Sequence, residues 1–216
     1  HWNRSAQTPP ELLAFYHPVT IRHICLLRER FLEEPLDKTA AWVRMVALNR
    51  LTGHSPGFFS VRTLPPNQAV SVQAQLAINS RRNQCPPQRD VAALILKKSR
   101  SLLRHPAGLL RPDATGHRLW TALAEAPSPL HDNSTALVVT SPPFLNVVDY
   151  RRDNWLRCWF AGIDISTLPR CTGSLELWAN HLSTVLSEIH RILKPGGHAA
   201  IEVGEIRKGR SEEHTS

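Results

Sequence analysis

The chain is poor in the residues that staple small domains or hold metals. Its 216 residues include four cysteines, Cys25, Cys85, Cys158 and Cys171. No two of them form a Cys-x-x-Cys pair, which argues against a structural zinc site. No metal is expected. A low cysteine density without a secretory signal points to reduced thiols and a cytoplasmic location. No apolar run approaches the length that crosses a bilayer, so no membrane partner is expected. A glycine-rich phosphate loop is lacking too, as is a ladder of alternating aromatic and basic residues. What remains is a chain long enough for one large domain or two small ones, with a sizeable core.

Acidic residues are scarce in one part only. Overall, 26 Lys and Arg against 18 Asp and Glu leave a net charge of +8. Residues 1–130 hold 17 basic and 8 acidic side chains, net +9, while 131–216 hold 9 and 10, net −1. The positive charge therefore belongs to the first part. That asymmetry fits a nucleic-acid clamp beside a catalytic unit. The plain alternative is a solvated basic surface on a soluble protein.

The first part reads as mainly helical. A short helix is predicted over 11–16. Pro18 restarts a longer one with Ile21, Ile24, Leu27 and Phe31 on one face. Asp37 is the N-cap of a helix through Trp42, Val43, Val46 and Leu51, stopped by Gly53. Residues 54–67 are a loop, in which 58–61 form a short extended piece with Phe58 and Phe59 as core plugs. A third helix starts at Asn67 or Ser71 and runs to about Ser80. A fourth spans 88–105, with Val91, Leu94, Ile95 and Leu102 facing inward. Between 81 and 104 lie Arg81, Arg82, Arg89, Lys97, Lys98, Arg100 and Arg104 against the single Asp90, net +6. This is the predicted nucleic-acid-binding patch, with the polar face of a surface helix as the alternative. Residues 106–135 read as a connector with one helix around 118–126.

The second part carries the chemistry. Ala136-Leu137-Val138-Val139-Thr140 is a short apolar run that reads as a buried strand. Ser141-Pro142-Pro143-Phe144 ends it, because prolines lack the N–H donor and fix φ. A helix is predicted through Asn154, Trp155 and Phe160 to Gly162, with both Trp155 and Trp159 as core. A long amphipathic helix over 175–193 follows, marked by Leu175, Trp178, Leu182, Val185, Leu186, Ile189 and Leu193. Lys194-Pro195-Gly196-Gly197 stops it and leads into a strand over 198–203.

Thr140-Ser141-Pro142-Pro143-Phe144 resembles motif IV of the amino-methyltransferases, enzymes that methylate exocyclic N4 of cytosine or N6 of adenine in DNA. The helix, Arg-x-Leu-Lys-Pro-Gly-Gly and strand resemble the segment entering the fifth strand of Rossmann-like methyltransferases that use S-adenosylmethionine. The resemblance covers about 136–205. It implies an α/β fold: a partial Rossmann-like S-adenosylmethionine-dependent methyltransferase domain preceded by a mainly helical region. The division is 1–130 as a helical basic insertion or target-recognition region, then 131–209 as the C-terminal part of the catalytic domain. The implied function is methyl transfer from S-adenosylmethionine to an exocyclic amine of a DNA base, N4-cytosine favoured because Ser stands first in the motif. Ser141 and Pro142 orient the amine, held by the stiff Pro142-Pro143 unit, and Phe144 stacks on an unstacked base. Asn146, Asp149 and Tyr150 follow closely enough to line the same pocket, and Thr140 borders the cofactor. A restriction endonuclease is the implied protein partner.

The resemblance departs from the family in one respect. No Phe-x-Gly-x-Gly cofactor loop occurs between His1 and Gly209. Either the loop lies upstream of His1, with the chain a fragment that binds S-adenosylmethionine poorly by itself, or the cofactor is not bound in the usual way. Residues 210–216 read as a non-native tail resembling a translated sequencing adapter. Three other functions stay open: an RNA amino-methyltransferase, a protein-glutamine amino-methyltransferase, and a non-catalytic nucleic-acid-binding module in which the Pro-Pro turn is structural.

Overall fold

Helix starts coincide with the residues able to cap them. A computed structural model describes residues 8–33, 35–63, 69–104, 116, 118–142, 150–168 and 174–203. A 3-10 helix over Pro10–Ala14 precedes α1, Pro18–Leu32. Helix α2 is Lys38–Leu48, where the Asp37 side chain accepts from the Ala40 N–H. Helix α3 is Val72–Arg81, capped by Ser71 onto Ala74. Helix α4 is Val91–Leu102, capped by Asp90 onto Ala93. Each cap satisfies a backbone donor that the first turn leaves orphaned. Strand β1 is Thr135–Thr140 and helix α5 is Tyr150–Ala161. Helix α6 is Leu175–Ile192 and strand β2 is Leu193–Ile201. The protein thus mixes helices with a two-stranded parallel sheet.

The chain divides into two compact units. One comprises His1–Gly116 and Tyr150–Arg170, the other His117–Asp149 and Cys171–Ser216. Helix α5 packs with the helical unit, although in sequence it follows β1 and Ser141.

The helical unit is built on Leu12, Phe15, Tyr16, Ile21, Ile24, Phe31, Val46, Leu51, Phe59, Val91, Ile95, Leu156 and Phe160. The apolar face foreseen for α1 is the one that buries, with Ile21, Ile24 and Phe31 inside. Phe58 and Phe59 plug the core as expected. The 58–61 stretch forms no strand, however; an isolated bridge joins Gly53 to Arg62 instead. The reason lies at Gly53, where a Cβ would sit 2.4 Å from the Phe58 ring, so the loop closes on its own side chains. Helix α2 stops at Leu48 rather than reaching Leu51. Asn49 ends it by bonding Met45 O through Nδ2 at 3.0 Å, and Leu51 packs beyond the helix while its carbonyl accepts from Tyr16 Oη at 3.0 Å. Helix α4 starts at Val91, not 88, because Asp90 takes the cap, its side chain accepting from the Ala93 N–H at 2.9 Å. Leu102, expected inward, is exposed at its last turn.

Several polar groups tie this unit together, although Gln75 Oε1 and Arg89 Nε are buried without a hydrogen-bond partner among the described residues. Asn79 Nδ2 donates to Ala14 O at 2.7 Å, and its Oδ1 accepts from Gln75 and Gln84. The end of α5 is held by two arginines. Arg28 Nε donates to Trp159 O at 2.7 Å and Arg44 Nη2 donates to Ala161 O at 3.0 Å. Trp155 meets Phe15 edge-on, so both tryptophans of α5 serve the core. Gly162 turns the chain at φ +71, a conformation in which side chains other than hydrogen are strained.

In the other unit, β1 and β2 run parallel and α6 leads directly into β2. Three expectations change here. Strand β1 is not a buried strand: Leu137 and Val139, two apart on one face, are 56% and 74% exposed. A parallel strand buries only when layers cover both faces, and among the described residues the sheet has two strands. The Lys194-Pro195-Gly196-Gly197 turn is not a separate stop before the strand. It lies within β2 as an irregularity of the ladder, since Thr135 pairs with Leu193 and Leu137 already with His198. Gly196 at φ +76 makes that detour. The 118–126 helix does not form. Leu119 is 97% exposed, and a short helix without a packed apolar face is not stable by itself. Only a turn remains there, with Ala126 N on Leu123 O.

Candidate functional site

The candidate site starts where β1 ends. The strand runs through Thr140, and the chain leaves the sheet at Ser141, as the prolines require. Thr140 is half-buried and its carbonyl accepts from Glu202 N at 3.0 Å. Pairing therefore continues to the carboxyl ends of both strands, since Thr140 also stands opposite Ile201. Ser141 is exposed and Pro142 is half-buried beside it. A hydroxyl and a proline carbonyl are thus presented at the carboxyl edge of a parallel pair, the edge at which open α/β sheets bind ligands. Pro143, Phe144, Asn146 and Asp149 lie outside the described residues. Tyr150 is the first residue of α5.

The entry to β1 is fixed by the arginine that opens the Arg-x-Leu-Lys-Pro-Gly-Gly motif, in a role the motif does not disclose. Arg191, in the last turn of α6, bonds Glu188 through Nε at 2.8 Å and Nη2 at 2.6 Å. It also donates to Leu130 O at 3.0 Å and pairs with Asp132. Asn133 N and Ser134 N then bond the carbonyls of Arg191 and Ile192. The end of α6 and the start of β1 are one clamp. Within it the Arg191 guanidinium, followed by the Ser128 N–H, holds the Glu188 carboxyl down at about 2. The i,i+3 spacing of Glu188 and Arg191 was a visible signal; Asp132 and the 128–130 backbone were not. The groove along α6, lined by Trp178, Leu182, Leu186 and His190, follows the apolar face foreseen for that helix and contains none of the candidate site residues.

The basic residues lie in the helical unit and fall into distinct settings. Arg81 and Arg82 close α3, where cations offset the helix dipole. Arg89 is half-buried, its backbone N–H donating to Thr20 Oγ1 at 2.8 Å. Lys98 is half-buried too, seven residues after buried Val91 and three after buried Ile95, so it lies against the core side of α4. Lys97, Arg100 and Arg104 are exposed.

Comparison with family models, curated proteins and solved structures finds no match.

Among the described residues no glycine-rich turn stands at the carboxyl end of β1 or β2. Gly196 and Gly197 sit at the opposite end, next to Leu193 and Ala136. These residues alone do not form a cradle for S-adenosylmethionine. No helix among the described residues is long and apolar enough to cross a membrane, and none of their His, Cys, Asp and Glu groups cluster to hold a metal.

Proposed function

We propose that the chain carries the target-amine half of an S-adenosylmethionine-dependent amino-methyltransferase acting on DNA. The carrying observation is Ser141-Pro142 leaving β1 at the carboxyl edge of a parallel β1–β2 pair. An exocyclic amine is a weak nucleophile because its lone pair is delocalised into the ring. The Ser141 hydroxyl and the Pro142 carbonyl accept hydrogen bonds from the amine and favour its pyramidal form. Both acceptors stand on backbone stiffened by proline, so little freedom is lost on binding. Phe144 stacks on the base once it has left the duplex. No general base is needed, since the alkylated amine loses its proton readily. S-adenosylmethionine supplies the methyl group and is held mainly by residues other than those described here. The cytosine preference rests on Ser141 standing first in the motif.

The test is methyl transfer to duplex DNA by the intact protein, compared with Ser141→Ala and Phe144→Ala. Both variants are expected to lose most of the activity. If methylation survives both unharmed, the Pro-Pro turn is structural and the binding-module reading takes its place.

A further inference from the structure

The seven basic residues between 81 and 104 differ in exposure and in the element that carries them. Two of them, Arg89 and Lys98, are half-buried, and Arg81 and Arg82 end a different helix. Lys97 and Arg100 are three apart and share one exposed face of α4. Arg104 follows just past the Leu103 C-cap. The acid on this stretch, Asp90, has its carboxylate committed to the Ala93 N–H at 2.9 Å. Among the described residues none of the three cations makes an ion pair. The same face carries small Ala92 and Ala93 and exposed Leu96 and Leu103, so a partner's backbone can approach closely. Its cations are unopposed, which calls for a polyanion.

Geometry narrows the polyanion. At 1.5 Å per residue, Lys97 to Arg104 covers roughly 10 Å. Phosphates of one DNA strand advance about 3.4 Å each along the duplex axis, so that length faces about three of them. No Phe, Trp or Tyr occurs between 81 and 104, so the face has no platform on which single-stranded bases could stack. We propose that the exposed face of α4 tracks the phosphate backbone of a nucleic-acid duplex through Lys97, Arg100 and Arg104, while Arg89 and Lys98 serve the fold. The proposal names the docking face for the substrate of the methyl-transfer reading and rests on it only for the identity of the duplex as DNA.

Three phosphate contacts make log Kobs fall with log salt by about 2.7 per decade, or roughly 40-fold in affinity between about 50 and 200 mM salt. Anisotropy of a labelled DNA duplex with the full chain reads this slope. Lys97→Gln/Arg100→Gln/Arg104→Gln is expected to lose about 2.7 from it, and Arg100→Gln alone about 0.9. Lys98→Gln is expected to keep the wild-type slope. Circular dichroism confirms that each variant is folded, and the single variant stands in should the triple one fail to fold. A wild-type chain that does not bind the duplex, or a slope unchanged in the folded variants, overturns the proposal. So does loss of binding to phosphatidylserine vesicles with duplex binding intact, which would make the Leu96 and Leu103 edge a membrane contact. Ser141→Ala is expected to keep the full slope. Lost methyl transfer with an intact slope supports the docking face, and methylation that survives Ser141→Ala strikes the catalytic reading alone.

Discussion

Removing the Arg28 guanidinium should loosen the C-terminal end of α5. Arg28 Nε bonds Trp159 O at 2.7 Å, and its guanidinium carbon lies 5.2 Å from the centroid of the Trp159 ring. A hydrogen bond from a charged donor contributes roughly 1.5–3 kcal/mol. A cation–π contact at a partly covered site adds about 0.5–1 kcal/mol. The two share one side chain and do not simply add, so Arg28→Met, which keeps most of the apolar stem, should cost about 2–3 kcal/mol. For a chain of this length about 2–4 °C is lost per kcal/mol, which gives a fall of roughly 4–12 °C in Tm. Arg30 is the control on the same helix. Its pair with Glu33 spans 3.6 Å with both side chains more than half exposed, so Arg30→Met should cost under about 0.5 kcal/mol. Thermal melts followed by tryptophan fluorescence make the comparison. Equal and small shifts for both variants would refute the claim that the α5 terminus is held by a guanidinium from α1.

Three further outcomes follow from local geometry. Asn79→Ala removes one donor and an acceptor shared by Gln75 and Gln84; urea denaturation should show a loss of about 2–4 kcal/mol. Gly162→Ala and Gly196→Ala should each destabilise by roughly 1–2 kcal/mol, because both glycines have φ near +70, with Gly162→Ala only slightly the worse, since the end of the exposed Leu32 side chain must swing away from the new Cβ. Melts of the two single variants check both losses. The Glu188 carboxyl is lowered from 4.5 to about 2 by Arg191 and the Ser128 N–H. A lowered carboxyl stabilises the fold above its unfolded pKa and ceases to as it protonates. The clamp's contribution should therefore be complete above about pH 5 and fade between about pH 4.5 and 2. Glu188→Gln should flatten that part of the Tm profile; an unchanged profile would mean that the clamp does not couple to folding.

The helical unit was legible because its signals are local. Asp37 and Ser71 cap helices where their side chains foretold it, and Ile21, Ile24 and Phe31 bury on the face their spacing defines, whereas the Asp90 cap went unread and the predicted α4 starts three residues early. Boundaries slipped where a competing bond was invisible in sequence, as at Leu51, whose carbonyl is claimed by Tyr16. The exit of β1 at Ser141 was legible, since proline chemistry dictates it. The burial of β1 was not, because an apolar run shows what a strand can bury and not what covers it. Nor could composition tell Lys97 from Lys98. One position along a helix turns a side chain by about 100°, and only the packing of Val91 and Ile95 says which cation faces outward.

In the proposed reaction Ser141 is the hydrogen-bond partner of the amine that is methylated. Transfer of labelled methyl groups from S-adenosylmethionine to duplex DNA should be measured for the intact protein and for Ser141→Ala under saturating cofactor. Loss of one preorganised hydrogen-bond partner of the reacting group predicts a fall in kcat of roughly 10²-fold or more, with the DNA salt slope unchanged. A Ser141→Ala rate equal to wild type, or a wild-type protein that transfers no methyl group to DNA, would contradict the assignment.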